Sequence, residues 1–252
     1  MRRDHPLSGV SRRILLQRAV DVTDHAARRT ALVLAPHPDD ETIGCGATIA
    51  RKRAVGTDVA VWIATDGRGS ARGSDVTSTV TAREHETRGA CRALGVDASA
   101  ITFFGVEDGE VEREQEHVED ALVAELGTGQ FDEVYVPSPD DAHADHRALF
   151  AAAVRAVARA GTPTDVLAYP VWFWSKHTWI ARSGTRLTRM AHYRAGPLAA
   201  AGRLRPVTIR TDEFLAPKRD ALQHYEDELG GLQLDTERWF LADRELFFRI
   251  PR

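Results

Sequence analysis

Short apolar runs alternate with longer amphipathic segments along most of the chain. The run at residues 31–35 is apolar at every position, which is typical of a strand buried on both faces of a parallel sheet. The same pattern predicts strands at residues 31–35, 58–64, 101–104, 132–136 and 166–169, and helices at residues 41–54, 79–94, 111–126 and 145–160. Because strands and helices alternate strictly, we expect a Rossmann-like α/β fold, with three α/β/α layers and a mostly parallel sheet.

The two ends of the chain depart from this alternation. Residues 1–29 place apolar positions at helical spacing and predict an N-terminal helical extension. Residues 170–210 are rich in aromatic residues and arginine, and we expect this segment on the substrate side of the protein. A helix near residues 212–229 and edge strands within residues 239–250 complete an elaborated C-terminal region. The length of 252 residues, with 43% hydrophobic residues, favours a single domain spanning the chain.

Composition indicates which partners and which cellular compartment the protein can have. Lysine and arginine number 33 and acidic residues 37, and the net charge of −4 is not that of a protein that coats nucleic acid. Cys45 and Cys91 are too few for a disulfide framework or a four-thiolate zinc site, which favours a reducing, cytoplasmic setting. The sequence contains neither a signal-peptide core nor a run of about 18 apolar residues, so we expect no export and no transmembrane segment.

A cluster of imidazole and carboxylate groups follows the first predicted strand directly. It reads Pro-His-Pro-Asp-Asp-Glu at residues 36–41. The prolines stiffen the turn, and His37 and Asp40 are close enough in sequence to bind one ion, with Asp39 and Glu41 beside them. Aspartate is also a common helix cap, which accounts for one of these carboxylates but not for the cluster.

A second cluster follows the fourth predicted strand and again leads into a helix. His143 and His146 are three residues apart, so they face one side if a helix begins there, and Asp145 can orient an imidazole. A single histidine in such a place is as often a surface residue. Two clusters at the carboxyl ends of strands in one parallel sheet can meet at its edge, where ligands bind in this class of fold. The sequence therefore predicts a metal site.

Together these segments resemble the PIG-L/LmbE-like family of zinc-dependent N-acetylglucosaminyl deacetylases. The first family motif, His-Pro-Asp-Asp-Glu, stands at residues 37–41, and the second, His-x-Asp-His, at residues 143–146 with a Pro-x-x-x-Asp lead-in at residues 137–141. Weaker agreements are Arg83-x-x-Glu86 leading to Leu94-Gly95-Val96, Asp108-Gly109, and Lys218-x-x-Ala221-Leu222 before Tyr225. The resemblance covers residues 30–229.

The resemblance implies a zinc ion held by His37, Asp40 and His146. Two imidazoles and one carboxylate leave an open coordination position for water, as in catalytic rather than structural zinc sites. The same ligand types suit Fe²⁺ and other divalent ions, so the native metal stays open.

Catalytic roles follow from the same resemblance. Asp39 would act as the general base, and protonated His143 would support the charge that develops on the substrate. Asp145 would hold His143 in place and raise its pKa.

Five residues are expected on the substrate side. Arg68 follows the second strand, whereas Arg83 and Asp108 match weaker family positions, and Asp141 stands where several sugar-inositol deacetylases have tyrosine. For either arginine, the alternative is a solvated side chain. Trp174 belongs to a stretch with three tryptophans and one phenylalanine in eight residues, which suits a sugar-stacking wall and the core equally.

Residues 181–210 contain seven arginines and no aspartate, glutamate or lysine. The positions are 182, 186, 189, 194, 203, 205 and 210. Such a run is usually a solvated helical face, and the alternative is a patch that attracts an anionic substrate or a membrane surface.

These observations favour a zinc-dependent hydrolase that removes the N-acetyl group from an N-acetylglucosamine-type glycoconjugate. The alternatives are a zinc amidase that acts on a larger acyl or thiol-conjugate amide, and a metal- or sugar-binding module without turnover. Asp39 argues against the module, because binding alone needs no base there. Asp227 and Glu228 stand where many members have Ser-Gln or Thr-Gln. The sequence therefore does not identify the sugar or its aglycone. It also leaves the oligomeric state open, and a homo-oligomer is one of the alternatives.

Overall fold

One eight-stranded sheet runs through the structure. The computed structural model describes residues 4–70, 75–180, 183–225 and 237–251. The strands are β1 (Val20–Asp21), β2 (Ala31–Ala35), β3 (Val59–Thr65), β4 (Ile101–Val106), β5 (Glu133–Pro137), β6 (Asp165–Tyr169), β7 (Pro206–Arg210) and β8 (Arg244–Arg249). Their order is β1-β7-β8-β6-β5-β2-β3-β4, and every pairing is parallel except those of β8. The predicted α/β fold with a mostly parallel sheet is confirmed.

Helices cover both faces of this sheet. They are α1 (Ser8–Arg18), α2 (Thr23–Ala27), α3 (Asp40–Ala54), α4 (Val76–Ala93), α5 (Gln115–Leu126), α6 (Ala144–Ala160), α7 (Arg186–Arg203), α8 (Leu215–Gln223) and α9 (Glu237–Phe240). In β2, Ala31, Val33 and Ala35 pack in one core with α3, α4 and α8. Leu32 and Leu34 pack in the other core with α5 and α6. Successive side chains of a strand point to opposite faces, so the sheet is the middle of three layers.

The N-terminal and C-terminal segments share a third apolar cluster. Leu15 of α1 packs there with Trp174, with Ala200 of α7 and with Phe248 of β8. The cluster therefore joins the region before β2 to the region after β6.

Helix α3 comes unusually close to β6 at Gly44. A Cβ atom at this position would collide with the ring of Tyr169. That ring is fixed from the other end, because its hydroxyl donates a hydrogen bond of 2.7 Å to the carbonyl oxygen of Leu34. Only glycine lets the helix, which begins at the first polar cluster, lie this close to the sheet.

The largest differences from the sequence prediction come after Tyr169. The edge-strand prediction for residues 239–250 is wrong, because β8 lies inside the sheet between β6 and β7. Its side chains at residues 245–248 are buried on both faces, so the segment has no polar face that would mark its place. Strand β7 falls in the arginine-rich region and was not among the predicted strands.

The boundaries of two predicted helices also differ. Helix α5 begins at Gln115 rather than at residue 111, and the predicted helix at 212–229 is represented by α8. Residues 227 and 228 lie outside the described ranges. Within those ranges, no helix has the length and hydropathy that a membrane span requires.

Candidate metal centre

The two polar clusters meet at one edge of the sheet. Strand β2 ends at Ala35 and leads into α3, while β5 ends at Pro137 and leads into α6. The two strands are parallel neighbours, so their carboxyl ends lie side by side. The prediction that these segments come together is therefore confirmed by the geometry of the sheet.

His37, Asp40 and His146 come within the distances that a shared metal ion requires. Oδ2 of Asp40 lies 3.1 Å from Nδ1 of His37 and 3.2 Å from Nε2 of His146. Nitrogen atoms of His37, His143 and His146 also lie within 4.8 Å of one another, and these three histidines could hold a metal ion. Ligand atoms on a tetrahedral zinc ion stand about 3.3 Å apart, given metal–ligand distances of about 2.0–2.2 Å. The two distances from Asp40 fit such an ion.

His146 provides an independent test of this fit. The residue is fully buried, and neither ring nitrogen makes a hydrogen bond among the residues that the structure describes. Nε2 and Nδ1 each lie 3.2 Å from a carboxylate oxygen, of Asp40 and Asp141 respectively, but outside hydrogen-bonding geometry. A buried polar atom without a hydrogen bond is unfavourable, and coordination of a metal ion would satisfy Nε2.

Carboxylates also lie close to the imidazoles of His37 and His146. Nε2 of His37 lies 3.2 Å from Oδ2 of Asp145 and 3.2 Å from Oδ1 of Asp108. Asp145 is itself fixed, because the backbone N–H of Gly109 donates to it at 2.8 Å. A histidine that binds metal through one nitrogen commonly donates its other N–H to a carboxylate. Asp145 and Asp108 are placed to do this for His37, and the Asp141 carboxylate lies 3.2 Å from Nδ1 of His146.

The contacts of Asp145 differ from the sequence prediction. Its carboxylate is 3.7 Å from Nδ1 of His143, too far for a hydrogen bond, and its close contact is with His37. The negative charge of Asp145 raises the pKa of His143 as expected. Burial and the positive charges of His37 and His146 outweigh that effect and lower the pKa of His143 to about 4.

Charges within the cluster shift the pKa values of Asp40 and His146 in opposite directions. Burial would raise the pKa of Asp40, but the positive charges of His146 and His37 and the hydrogen bond with His37 outweigh it and hold this pKa below its usual range. Burial would lower the pKa of His146, but Asp40 and Asp141 raise it to about 9. The carboxylates therefore favour positive charge at this point, and a divalent cation would bind with release of protons.

Asp39 stands beside this cluster in a different electrostatic environment. Burial, followed by the negative charge of Asp40, raises the pKa of Asp39 well above its usual value, although Arg83 acts against the shift. A guanidinium nitrogen of Arg83 hydrogen-bonds the carbonyl oxygen of Pro38 and lies 3.4 Å from Oδ2 of Asp39. A carboxylate with a raised pKa accepts a proton more readily than an ordinary one.

A cleft of about 290 Å³ opens over these groups. Its lining residues are His37, Asp39, Asp40, Gly67, Gly69, Ser70, Arg83, Asp108, His143 and Trp172. Concave sites lined by a few polar groups with perturbed pKa values are typical of active sites.

Comparison with known proteins identifies the family. Residues 32–157, half of the chain, match the PIG-L family, which is described as GlcNAc-PI de-N-acetylase. The chain belongs to the PIG-L family. The resemblance seen in the two motifs is thereby confirmed, and a deacetylase is the enzyme class that membership supports. A search of curated proteins found no match.

Solved structures share the PIG-L fold of this chain at low sequence identity. The conserved protein TT1542 from Thermus thermophilus is 24% identical, with a TM-score of 0.62 over 88% of this chain and 95% of that one. An N,N'-diacetylchitobiose deacetylase from Pyrococcus horikoshii is 21% identical, with a TM-score of 0.54 over 88% and 84%. The A40926 pseudoaglycone deacetylase Dbv21 is 17% identical, with a TM-score of 0.66 over 89% and 98%.

Only some of the expected substrate residues reach the cleft of this PIG-L chain. Arg83 and Asp108 line it. Arg68 instead pairs with Asp66 at 2.7 Å and with Glu107 at 3.0 Å, and it lines a separate groove beside α4.

Asp141 lies behind the cleft rather than in it. The residue is 1% exposed, and its carboxylate accepts hydrogen bonds from the backbone N–H groups of His143 at 3.1 Å and Trp172 at 2.9 Å. It therefore ties the His-x-Asp-His segment to the aromatic segment after β6.

Trp174 is not a wall of the cleft. The residue is 4% exposed and stacks on Trp239, with ring centroids 5.5 Å apart. Its apolar ring has packed into the core formed with α1, α7 and β8. The cleft is lined by Trp172, which the sequence analysis did not single out, although it lies in the same aromatic stretch.

The arginine-rich segment makes one contact close to the site. Arg203 of α7 pairs with Asp140 at 2.7 Å, next to the buried Asp141. Arg182 lies outside the described residues.

Proposed function

We propose that this chain is a zinc-dependent hydrolase that removes the acetyl group from an N-acetylglucosamine-type glycoconjugate. The observation that carries the proposal is the meeting of His37, Asp40 and His146 at metal-ligand spacing, with Asp39 beside them in one cleft. Family membership supports deacetylation, and the chitobiose and pseudoaglycone deacetylases with the same fold support a sugar substrate.

The residues that would hold zinc are His37, Asp40 and His146. Bound zinc would polarise the acetamide carbonyl and lower the pKa of a water molecule to about 7. Asp145 and Asp141 would keep the imidazoles of His37 and His146 oriented, through the contacts described above.

Asp39 would be the general base. It lines the cleft with a side chain that is 15% exposed, and its raised pKa suits the uptake of a proton from the attacking water. As the carbon–oxygen bond forms and the carbon–nitrogen bond breaks, this proton would pass to the leaving nitrogen, which gives acetate and a free amine.

His143 would act as a hydrogen-bond donor to the carbonyl oxygen of the substrate. Its side chain is 34% exposed and lines the cleft. With a pKa of about 4 it is a neutral imidazole at pH 7, and this form still carries one N–H. We therefore favour a neutral donor over the protonated histidine that the resemblance implies, because burial and, after it, the nearby positive charges disfavour a second proton.

The first experiment measures acetate release from a panel of N-acetylglucosaminides. The protein is assayed as isolated, after chelation and after zinc is restored, with Fe²⁺ as a second restoring ion. We expect release that disappears with chelation and returns with zinc. A protein that binds metal and is folded but releases no acetate from any member would contradict the proposal. Release of larger acyl groups alone would identify the amidase alternative.

Two variants separate the proposed roles. Asp39→Asn should keep the metal and lose at least about 10²-fold in kcat, because the base is missing. His146→Ala should lose the metal itself. Asp97→Asn, whose side chain is 77% exposed, is the control that should change neither quantity. Near wild-type turnover in Asp39→Asn would remove Asp39 from the mechanism without affecting the metal assignment.

A further inference from the structure

The backbone at Asp39 adopts a conformation that non-glycine residues rarely occupy. Its φ angle is 119° and its ψ angle is −30°. Such a conformation is strained and persists only where surrounding contacts hold it in place. The contacts around Asp39 therefore determine where the proposed base points.

Glu41 holds the backbone side of Asp39. Its Oε2 accepts a hydrogen bond of 3.1 Å from the backbone N–H of Asp39. Its Oε1 accepts hydrogen bonds from the hydroxyls of Thr42 at 2.6 Å and Tyr225 at 2.7 Å. Glu41 is fully buried, and it does not line the cleft. Its carboxylate is thus occupied in bracing the turn and is not available to substrate.

Arg83 holds the other side of Asp39. It hydrogen-bonds the carbonyl oxygen of Pro38, the residue just before Asp39, and its guanidinium lies 3.4 Å from the Asp39 carboxylate. The backbone N–H and the side chain of Asp39 are consequently held by two different residues from two different elements.

Tyr225 contacts both of these residues. Its hydroxyl donates to Glu41, and the guanidinium carbon of Arg83 lies 5.4 Å from the centre of its ring. That distance is within the range of a cation–π interaction. Tyr225 is fully buried just after the end of α8, and it is 184 residues away from Glu41 in the sequence.

We propose that Tyr225 is a positioning residue, which fixes Asp39 in its strained conformation by bracing Glu41 with its hydroxyl and Arg83 with its ring. The inference rests on the proposed function, in which Asp39 is the base. Tyr225 is not among the residues that line the cleft, so its effect would come through Glu41 and Arg83, the two residues that hold Asp39. Displacement of a reacting group by about 1 Å can reduce turnover by about 10²-fold.

Tyr225→Phe tests the role of the hydroxyl, and Tyr135→Phe is a matched control. Both tyrosines are fully buried, and each hydroxyl donates a hydrogen bond of 2.7 Å to a buried glutamate, Glu41 or Glu133. The two variants should therefore lose similar amounts of stability. We expect only Tyr225→Phe to lower kcat, by at least about tenfold, with KM and zinc content unchanged.

Amide hydrogen exchange provides a readout that does not depend on activity. Peptides that cover residues 37–43 report the N–H of Asp39, whose acceptor is Glu41. We expect these peptides to exchange faster in Tyr225→Phe than in Tyr135→Phe, at equal global stability.

The outcomes distinguish this inference from the proposed function. If wild-type protein deacetylates no substrate, the proposed function fails, and the amide hydrogen exchange of Tyr225→Phe alone tests the inference. Faster exchange than in Tyr135→Phe supports the bracing of Asp39, and unchanged exchange overturns it. If wild-type protein is active, a kcat for Tyr225→Phe within about twofold of the control overturns the inference whatever the exchange rates are.

Discussion

Replacement of Lys218 by methionine removes one partner of a buried ion pair. Lys218 is 1% exposed, and its Nζ lies 2.7 Å from Oε1 of Glu245 and donates to the carbonyl oxygen of Ile43 at 2.8 Å. Glu245 is 5% exposed and accepts backbone hydrogen bonds from Ala47 at 2.9 Å and Thr48 at 2.8 Å. The pair thereby joins α8 and β8 to the middle of α3.

The expected loss of stability follows from what remains after the substitution. Methionine matches lysine in length, so little volume changes, but the Glu245 carboxylate stays buried without its cation. Removal of one partner from a buried pair typically costs about 3–5 kcal/mol. For a chain of this size each kcal/mol lowers Tm by about 2–4 °C, so we expect a decrease of about 6–20 °C. Salt should change the loss little, because a buried pair is poorly screened.

Urea unfolding measures this loss against two matched variants. Lys176→Met replaces a lysine that makes no ion pair within the described ranges, and it should stay within about 0.5 kcal/mol of wild type. Lys218→Met combined with Glu245→Gln should recover part of the loss, because no uncompensated charge is left. A free energy of unfolding for Lys218→Met within about 1 kcal/mol of wild type, at an unchanged m-value, would refute the reasoning.

Two further pairs of variants test the packing around the site. Gly44→Ala should lower the free energy of unfolding by about 1–3 kcal/mol, because the new Cβ would displace the ring of Tyr169. The control is Gly202→Ala, where no atom lies near the new Cβ. This control should be neutral or stabilising by up to about 1 kcal/mol. Urea unfolding checks both, and equal effects would contradict the close approach. Trp174→Ala should cost about 3–5 kcal/mol of stability because it empties part of a core, whereas Trp172→Ala should mainly raise KM in the acetate assay. The reverse pattern would return Trp174 to the substrate wall.

The polar clusters could be predicted from sequence because their chemistry is local. His37 and Asp40 lie within four residues, His143 and His146 lie within four others, and each pair follows an apolar run. To bring the two clusters together, the prediction needs only one fact about residues far apart in sequence. The carboxyl ends of parallel strands lie at the same edge of a sheet, which is a general property of such sheets. Even so, the pattern could not say that β2 and β5 are direct neighbours, which the strand order now shows.

Aromatic density did not reveal which tryptophan would face the cleft. Trp172 and Trp174 stand two residues apart in one stretch, yet the first lines the cleft and the second stacks on Trp239. The choice depends on a partner 65 positions further along the chain, and no local spacing carries that information. Asp141 is similar, because one of its two backbone partners, Trp172, lies 31 positions further along the chain.

The structure explains the spacing of one weaker family motif, Lys218-x-x-Ala221-Leu222 before Tyr225. The sequence alone did not give a reason for this spacing. Positions three and seven residues beyond Lys218 lie on the same side of a helical segment, and Lys218, Ala221 and Tyr225 are all buried. From this one side, Lys218 binds the carbonyl oxygen of Ile43 and Tyr225 binds the carboxylate of Glu41. Both acceptors lie in the first turn of α3, which begins at Asp40. The spacing of seven residues therefore matches the attachment of α8 to the turn that carries Asp40. A shift of one residue in either position would break one of the two attachments.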